Sequence, residues 1–299
     1  MDSIASKIVV CMGNNMITLQ DALKKGKKNL IENKIENGEH DAWLLLAFQF
    51  KISKAVYLAE PLKEISQEAC DAYLSLIEKR SRHIPLQYIT GEQEFMGLDF
   101  LVREGVLIPR QDTEILVMEA LKVSKGKEVL DICTGSGCIL LSLMKLGGIK
   151  QGTGADISEK ALETARENAK RLEVTAEFCK SDIYSHINKK YDIIISNPPY
   201  IPTGIIPTLM EEVKDYEPVI ALDGKEDGLY FYREICKGLQ EFLNTGGYVF
   251  FEIGYDQGEA VKELLLKAGM DNIKIIKDLA GLDRVVTGRW NEKKGEPFT

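Results

Sequence analysis

Asn197-Pro198-Pro199-Tyr200 follows directly on the apolar run Ile193-Ile194-Ile195-Ser196. A buried strand that ends in so rigid a turn presents an amide side chain and a fixed carbonyl at one spot, and these suit the alkylation of a planar amino nitrogen. The nitrogen of a carboxamide or an exocyclic base amine has a delocalised lone pair and is a poor nucleophile. If its two N–H bonds are held by the side-chain oxygen of Asn197 and the carbonyl of Pro198, the lone pair is aimed and drawn out of conjugation. Pro198 and Pro199 have restricted φ and no N–H, so the carbonyl stays where it is put. Tyr200 offers an aromatic wall over a planar substrate. Asn-Pro alone is an ordinary strand-ending turn; the loop upstream of it gives the four residues their weight.

That loop is Asp131-Ile132-Cys133-Thr134-Gly135-Ser136-Gly137-Cys138, between the strand-like Glu128-Val129-Leu130 and the apolar Ile139-Leu140-Leu141-Ser142-Leu143. Strand, glycine turn and helix make the first unit of an open α/β sheet, in which ligands collect at the carboxyl ends of strands. Gly135 and Gly137 permit close approach to the backbone. Leu140 stands where the dinucleotide fingerprint has its third glycine, so a nucleoside without a pyrophosphate fits better. The next strand, Gly152-Thr153-Gly154-Ala155, ends in Asp156, placed for a ribose diol. Asp182, after the third strand Ala176-Glu177-Phe178-Cys179, is placed to accept from an adenine amino group, with Ile183 packing on the ring. Each acid alone is equally an ordinary strand-end or N-cap residue. Their order, with Asn197 ending the fourth strand, describes one pocket for S-adenosylmethionine, a nucleoside that carries a sulfonium methyl donor.

The elements that position these residues are legible on both sides of the pocket. From Thr18 to Arg82 the pattern is helical: Thr18-x-x-Asp21 starts a helix, Asn37-Gly38 breaks it, Asp41 caps Ala42 to Phe48, and Ser66 caps a helix ending near Arg82. Gln93 to Val102 reads as a hairpin turning at Met96-Gly97, and Thr113 to Leu121 as a helix. Beyond Asn197, a helix is expected from Asp227 to Leu243, its Tyr230, Phe231 and Tyr232 serving as core. A strand from Tyr248 to Ile253, a helix from Gln257 to Lys267, and an antiparallel edge of Ile273–Ile276 and Arg284–Thr287 complete the chain.

Composition narrows the class. With 299 residues, 44% hydrophobic and 28% charged, the chain has the makings of two soluble domains. No secretory signal is visible, and no apolar run approaches the length that crosses a bilayer. Six cysteines without a Cys-x-x-Cys pair, and three scattered histidines, lead us to expect neither disulfides nor a metal, in a reducing cytoplasm. Residues 1–90 hold 12 Lys and Arg against 11 Asp and Glu, while the remainder holds 26 against 35. Such an acidic chain is a poor clamp for phosphate backbones, and Lys24-Lys25-Gly26-Lys27-Lys28 reads as a solvated helix face.

From Thr18 to Arg289 the sequence closely resembles the release-factor glutamine methyltransferases of the HemK/PrmC type. The resemblance is carried by Pro85-Leu86-Gln87-Tyr88-Ile89-Thr90-Gly91 with Phe95, by Val106-Leu107-Ile108-Pro109-Arg110 with Asp112-Thr113-Glu114, by Thr134 to Gly137, and by Asn197 to Tyr200. Glu217-Pro218, Ala221-Leu222, Asp227-Gly228-Leu229, Glu252-Ile253-Gly254 with Gln257, and Asp283-Arg284 extend it. Lys225 departs from it, standing where a glycine is often found.

The resemblance implies an α/β, class I S-adenosylmethionine-dependent methyltransferase: Rossmann-like, with a mostly parallel seven-stranded sheet and an antiparallel C-terminal edge, preceded by a small all-α domain and a β-hairpin connector. The expected boundaries are 1–17 for an extension, 18–90 for a helical substrate-recognition domain, 91–111 for the connector and 112–299 for the methyltransferase domain. It implies methylation of the glutamine amide in the Gly-Gly-Gln motif of peptide chain release factors, leaving S-adenosylhomocysteine. Thr134, Gly135, Ser136 and Gly137 would approach the methionine part, with Asn197 at the donor end. Asp156 would meet the ribose and Asp182 with Ile183 the adenine, while Asn197, Pro198, Pro199 and Tyr200 would hold the glutamine. No metal, nucleic acid or membrane is expected as a partner, and nothing requires more than a monomer. A methyltransferase acting on a base amine of DNA or RNA, which uses the same four-residue motif, and a noncatalytic binding module of the same fold are the competing readings.

Overall fold

Thr18 opens the first helix with a reciprocal cap. Its hydroxyl accepts from the Asp21 N–H at 3.1 Å, and the Asp21 carboxylate accepts from the Thr18 N–H at 3.1 Å. The computed structural model describes residues 17–291 and divides after Thr90 into two units. The extension expected over residues 1–17 lies, apart from Ile17, outside the described residues. In the first unit β1 (Ile17–Thr18) leads into α1 (Leu19–Glu32), α2 (Gly38–Phe50) and α3 (Lys54–Ala59), then β2 (Glu64–Ile65), α4 (Gln67–Ser81) and α5 (Leu86–Thr90). Strands β1 and β2 pair antiparallel, and the Ser66 hydroxyl caps α4.

Asp41 does not cap a helix, as the sequence suggested. Helix α2 begins at Gly38, so Asp41 falls in its first turn, buried, where it accepts from Arg80 Nε of α4 at 2.7 Å. Gly26 is required by packing: a Cβ there would stand 2.0 Å from the Tyr73 hydroxyl, which donates to the Ala42 carbonyl across the bundle.

The second unit starts with the antiparallel hairpin β3 (Glu92–Phe95) and β4 (Leu98–Leu101), turning at Met96-Gly97. This hairpin is built into the unit: buried Phe95 and Phe100 join one core cluster with Leu116, Val117 and Ile139. There follow α6 (Thr113–Leu121), β5 (Glu128–Ile132), α7 (Cys138–Gly147), β6 (Gln151–Asp156), α8 (Glu159–Arg171), β7 (Glu177–Lys180) and β8 (Tyr191–Ser196). Next come α9 (Glu211–Lys214), α10 (Tyr230–Phe242), β9 (Leu243–Glu252), α11 (Gly258–Lys267), β10 (Asp271–Lys277) and β11 (Asp283–Arg289). The start of α10 corrects the expected Asp227. Gly228 takes a left-handed φ of 74°, which no helix continues, and Asp227 instead accepts from the Leu229 N–H at 3.1 Å and pairs with Arg233.

The seven-stranded sheet runs β10-β11-β9-β8-β5-β6-β7. Strands β9, β8, β5, β6 and β7 are mutually parallel, and β11 is antiparallel to both β9 and β10. The expected mostly parallel sheet with an antiparallel C-terminal edge is therefore borne out. From β5 the chain steps outward to β6 and β7, then crosses to β8 on the other side. The carboxyl end of β5 is thus a topological switch point, where open α/β sheets form their crevice.

Candidate active site

Strand register brings the predicted residues together. Ile132 is paired with Ser196 on one side and Ala155 on the other, so Cys133, Asn197 and Asp156 emerge side by side, each one residue further on. They meet at a cavity of about 300 Å³. Thr134, Gly135, Ser136, Asp156, Asp182, Ile183, Asn197 and Pro199 all line it.

The glycine turn is shaped by backbone needs. Gly137 caps α7 at φ 80°, and a Cβ there would press on the Ala165 Cβ at 3.1 Å. Gly135, at φ 56°, faces open space, with no atom within 4 Å of a would-be Cβ. Its N–H donates to Asp156 Oδ2 at 2.9 Å, while the Ser158 N–H donates to Oδ1 at 2.9 Å. Burial raises the Asp156 carboxyl, and these N–H bonds offset only part of the rise. Each oxygen keeps lone-pair capacity for a ligand hydroxyl. Asp131, beneath the turn, accepts from the Thr134 hydroxyl at 2.6 Å, and burial pushes its carboxyl up to about 7.

Asp182 is exposed at the cavity, its backbone N–H held by the Ser185 hydroxyl at 2.9 Å. Ile183 is β-branched yet sits at φ 50°, its carbonyl accepting from the Ser181 hydroxyl at 3.0 Å. Such a residue is a backbone outlier, and outliers of this kind cluster at ligand sites. Two cationic side chains line the cavity, and both are neutralised: Arg110 pairs with buried Glu217, and Lys225 with Asp223. This donor and acceptor set fits a nucleoside with hydroxyl and amino groups better than a phosphate.

Asn197 is held by its neighbours. Its Nδ2 donates to the Thr113 hydroxyl at 3.3 Å, leaving the amide oxygen for the cavity. Ser196 anchors the strand end by donating to the Ile132 carbonyl at 2.6 Å.

Tyr200 is placed differently from the expectation. Gly137, Pro198 and Tyr200 are not among the residues that line the cavity, and the Tyr200 ring packs on the core cluster of the sheet with its hydroxyl 3.4 Å from Glu252 Oε1. Its carbonyl accepts from Gln257 Nε2 at 3.0 Å, so Tyr200 braces the turn. The aromatic lining comes instead from Tyr230 and Phe231, which meet edge to face with ring centroids 5.2 Å apart; of the aromatic trio only Tyr232 is fully buried core.

Sequence reasoning also missed Asn168 on α8. Fully buried, it exchanges two hydrogen bonds with Leu101 of β4, at 2.7 and 3.0 Å, and donates to the Ser136 carbonyl at 3.0 Å, tying hairpin to glycine turn. Its only sequence signal is an amide on the apolar side of an amphipathic helix. Among the described residues no group of His, Cys, Asp and Glu is arranged to hold a metal, and no helix is long and apolar enough to cross a membrane.

A Rossmann-like sheet with this order, bearing a glycine turn, strand-end acids and an Asn-Pro-Pro-Tyr turn at its switch point, defines a methyltransferase. The family model of the methyltransferase small domain matches residues 111–208, and that of the PrmC N-terminal domain matches residues 21–91. The sequence is 40% identical to the release factor glutamine methyltransferase of Clostridium botulinum, covering 91% of this chain and 99% of that protein. It is also 40% identical to the one of Clostridium acetobutylicum, over 90% of this chain and 97% of that protein. A methyltransferase crystal structure from Pyrococcus furiosus matches in fold, with a TM-score of 0.52 and 20% identity, covering 66% of this chain and 91% of that one. The chain belongs to the release factor glutamine methyltransferase family.

Proposed function

We propose that this protein transfers a methyl group from S-adenosylmethionine to the side-chain amide nitrogen of the glutamine in the Gly-Gly-Gln motif of peptide chain release factors. The observation that carries this reading is the placing of Asn197. Its amide oxygen is left for the same cavity that Asp156 and Asp182 line, with Nδ2 engaged by Thr113.

Bound in the cavity, S-adenosylmethionine would supply an electrophilic methyl carbon on a sulfonium. Asp156 would hold the ribose hydroxyls, Asp182 with Ile183 the adenine, and the Thr134 to Gly137 turn the methionine part. Asn197 Oδ1 and the Pro198 carbonyl would accept the two N–H bonds of the glutamine amide, turning its lone pair toward the donor. Tyr230 and Phe231 wall the pocket, and Tyr200 keeps the turn rigid from below. No base is needed beforehand, since the alkylated nitrogen is acidic and loses its proton to solvent. Neutralised Arg110 and Lys225, and a net charge of −8, favour a protein acceptor over a nucleic acid.

Incubation of the purified protein with labelled donor and purified release factor tests this reading. Label is expected in the release factor and not in a variant whose Gly-Gly-Gln glutamine is replaced. Equal labelling of both factors, or of neither, refutes the proposal.

A further inference from the structure

Behind the Asn-Pro-Pro-Tyr turn stands a buried amide that the proposed transfer does not use. Gln257, directly before α11, is 8% exposed. Its Oε1 accepts from the Gly254 N–H at 2.9 Å, and its own backbone N–H donates to the Gly254 carbonyl at 3.0 Å. Its Nε2 donates to the Tyr200 carbonyl at 3.0 Å and to the Gly228 carbonyl at 3.4 Å. These partners fix which way the amide points. A backbone N–H only donates and a carbonyl only accepts, so turning the amide over would oppose donor to donor at Gly254 and acceptor to acceptor at the other two.

The two carbonyls belong to separate stretches that line the cavity. Tyr200 closes the turn that brings Asn197 and Pro199 to it, and Gly228 leads into Tyr230 and Phe231. Pro198 and Pro199 have no N–H with which to fasten the turn from within. It is fastened from outside instead. The Ile201 N–H donates to the Leu222 carbonyl at 3.0 Å, the Gly224 N–H donates to the Ile201 carbonyl at 2.8 Å, and Gln257 takes the Tyr200 carbonyl. Two glycines let the second stretch lie on the first. A Cβ at Gly228 would stand 2.3 Å from the Tyr200 carbonyl oxygen and 2.6 Å from Gln257 Nε2, and one at Gly224 would stand 2.8 Å from Tyr200 Cα. That close approach puts both carbonyls within reach of a single NH2.

We infer that Gln257 is a positioning residue: its NH2, shared between the Tyr200 and Gly228 carbonyls, sets the spacing between the acceptor turn and the aromatic wall of Tyr230 and Phe231. Gln257 does not itself line the cavity, and it acts through the two backbone carbonyls. Without it the Pro198 carbonyl, two residues before Tyr200, loses an anchor, and the wall loses its tie to the turn. Asp156 and Asp182, which end β6 and follow β7, do not depend on it. The clamp itself is independent of which amide is methylated; its consequence for turnover rests on the proposed function.

Two substitutions in the full chain test it. Gln257→Glu keeps the shape and still accepts from the Gly254 N–H, but its carboxylate sets an oxygen against both carbonyls. Gln257→Met fills the space without either donor. In both variants, hydrogen-exchange mass spectrometry is expected to show about tenfold faster exchange or more over residues 200–203 and 222–230, with β5 and β6 unchanged. With release factor as acceptor, kcat is expected to fall about 10- to 100-fold, while KM and S-adenosylhomocysteine affinity by calorimetry stay within about threefold of the wild type. Gln257→Glu is expected to lose at least as much as Gln257→Met, because the two donated bonds matter and the filling of space does not. Wild-type kcat in Gln257→Glu, or a loss of S-adenosylhomocysteine affinity as large as the loss of kcat, overturns the inference. If Gln257→Glu does not fold, Gln257→Met decides by the same two readings. A wild type that does not methylate the release factor, with faster exchange and unchanged S-adenosylhomocysteine affinity in the variants, overturns the proposed substrate and leaves the clamp standing.

Discussion

Replacing Glu252 by glutamine is expected to make the protein more stable, and increasingly so as pH rises. Glu252 is 1% exposed, and burial moves its carboxyl from 4.5 to about 7 in spite of Arg284. The unfolded chain releases this proton near its ordinary value, whereas the folded chain holds it until about pH 7. Between those values the folded state binds more protons than the unfolded state, so stability falls with rising pH and then levels off above the folded value. At about 1.4 kcal/mol per pH unit, the penalty is roughly 1 kcal/mol at pH 5.5 and roughly 3 kcal/mol at pH 8. Glutamine has the same shape and no charge to bury, so Glu252→Gln removes the penalty. Urea unfolding of both proteins across this range measures it: the advantage of the variant is expected to grow by about 2 kcal/mol from the acid to the alkaline end. If the variant is less stable than the wild type at pH 8, the ion-pair contribution of Arg284 exceeds the burial cost and the reasoning fails.

Four further substitutions bear on the site and on the helical unit. Asn197→Ala is expected to lower kcat about 10²–10³-fold, as loss of a preorganised hydrogen-bonding group does, while S-adenosylhomocysteine binding measured by calorimetry stays close to that of the wild type. Asp156→Ala is expected to act in the opposite order, weakening S-adenosylhomocysteine binding about 10- to 100-fold; unaltered binding would remove Asp156 from the ribose site. In the helical unit, Asp41→Ala removes the buried carboxylate that accepts from Arg80 Nε and is expected to cost about 3–5 kcal/mol in urea unfolding. Glu39→Ala, which breaks only the exposed pair with Lys27, is expected to cost less than about 1 kcal/mol.

Strands β5 and β8 were legible because each is a short, largely apolar run that ends at a turn. Ile193 to Ser196 before Asn197, and Glu128 to Leu130 before the glycine turn, gave their strands and the place of the cavity together. The helix expected from Thr113 to about Leu121 was legible from the apolar Ile115-Leu116-Val117-Met118 behind Asp112-Thr113. Three features were not legible, each for a reason of distance or of shared signal. Asp41 has the side chain of an N-cap, and only its tertiary neighbour Arg80, 39 residues away, makes it a buried partner instead. Tyr230, Phe231 and Tyr232 read alike as core, yet one turn of helix points the first two to the cavity and the third to the sheet. Tyr200 has the composition of a wall, but the buried Glu252 draws its hydroxyl inward. Lys225 shows the converse: its φ of 71° explains why a glycine is often found there, a reason the sequence alone did not contain.

The proposed transfer depends on Asn197 presenting an amide acceptor beside the cavity. Mass spectrometry of release factor peptides after incubation with the protein and donor tests it most directly. One added methyl on the side-chain nitrogen of the Gly-Gly-Gln glutamine is predicted with the wild type, and none with Asn197→Ala. A methyl found on another residue, or the same yield from both proteins, contradicts it.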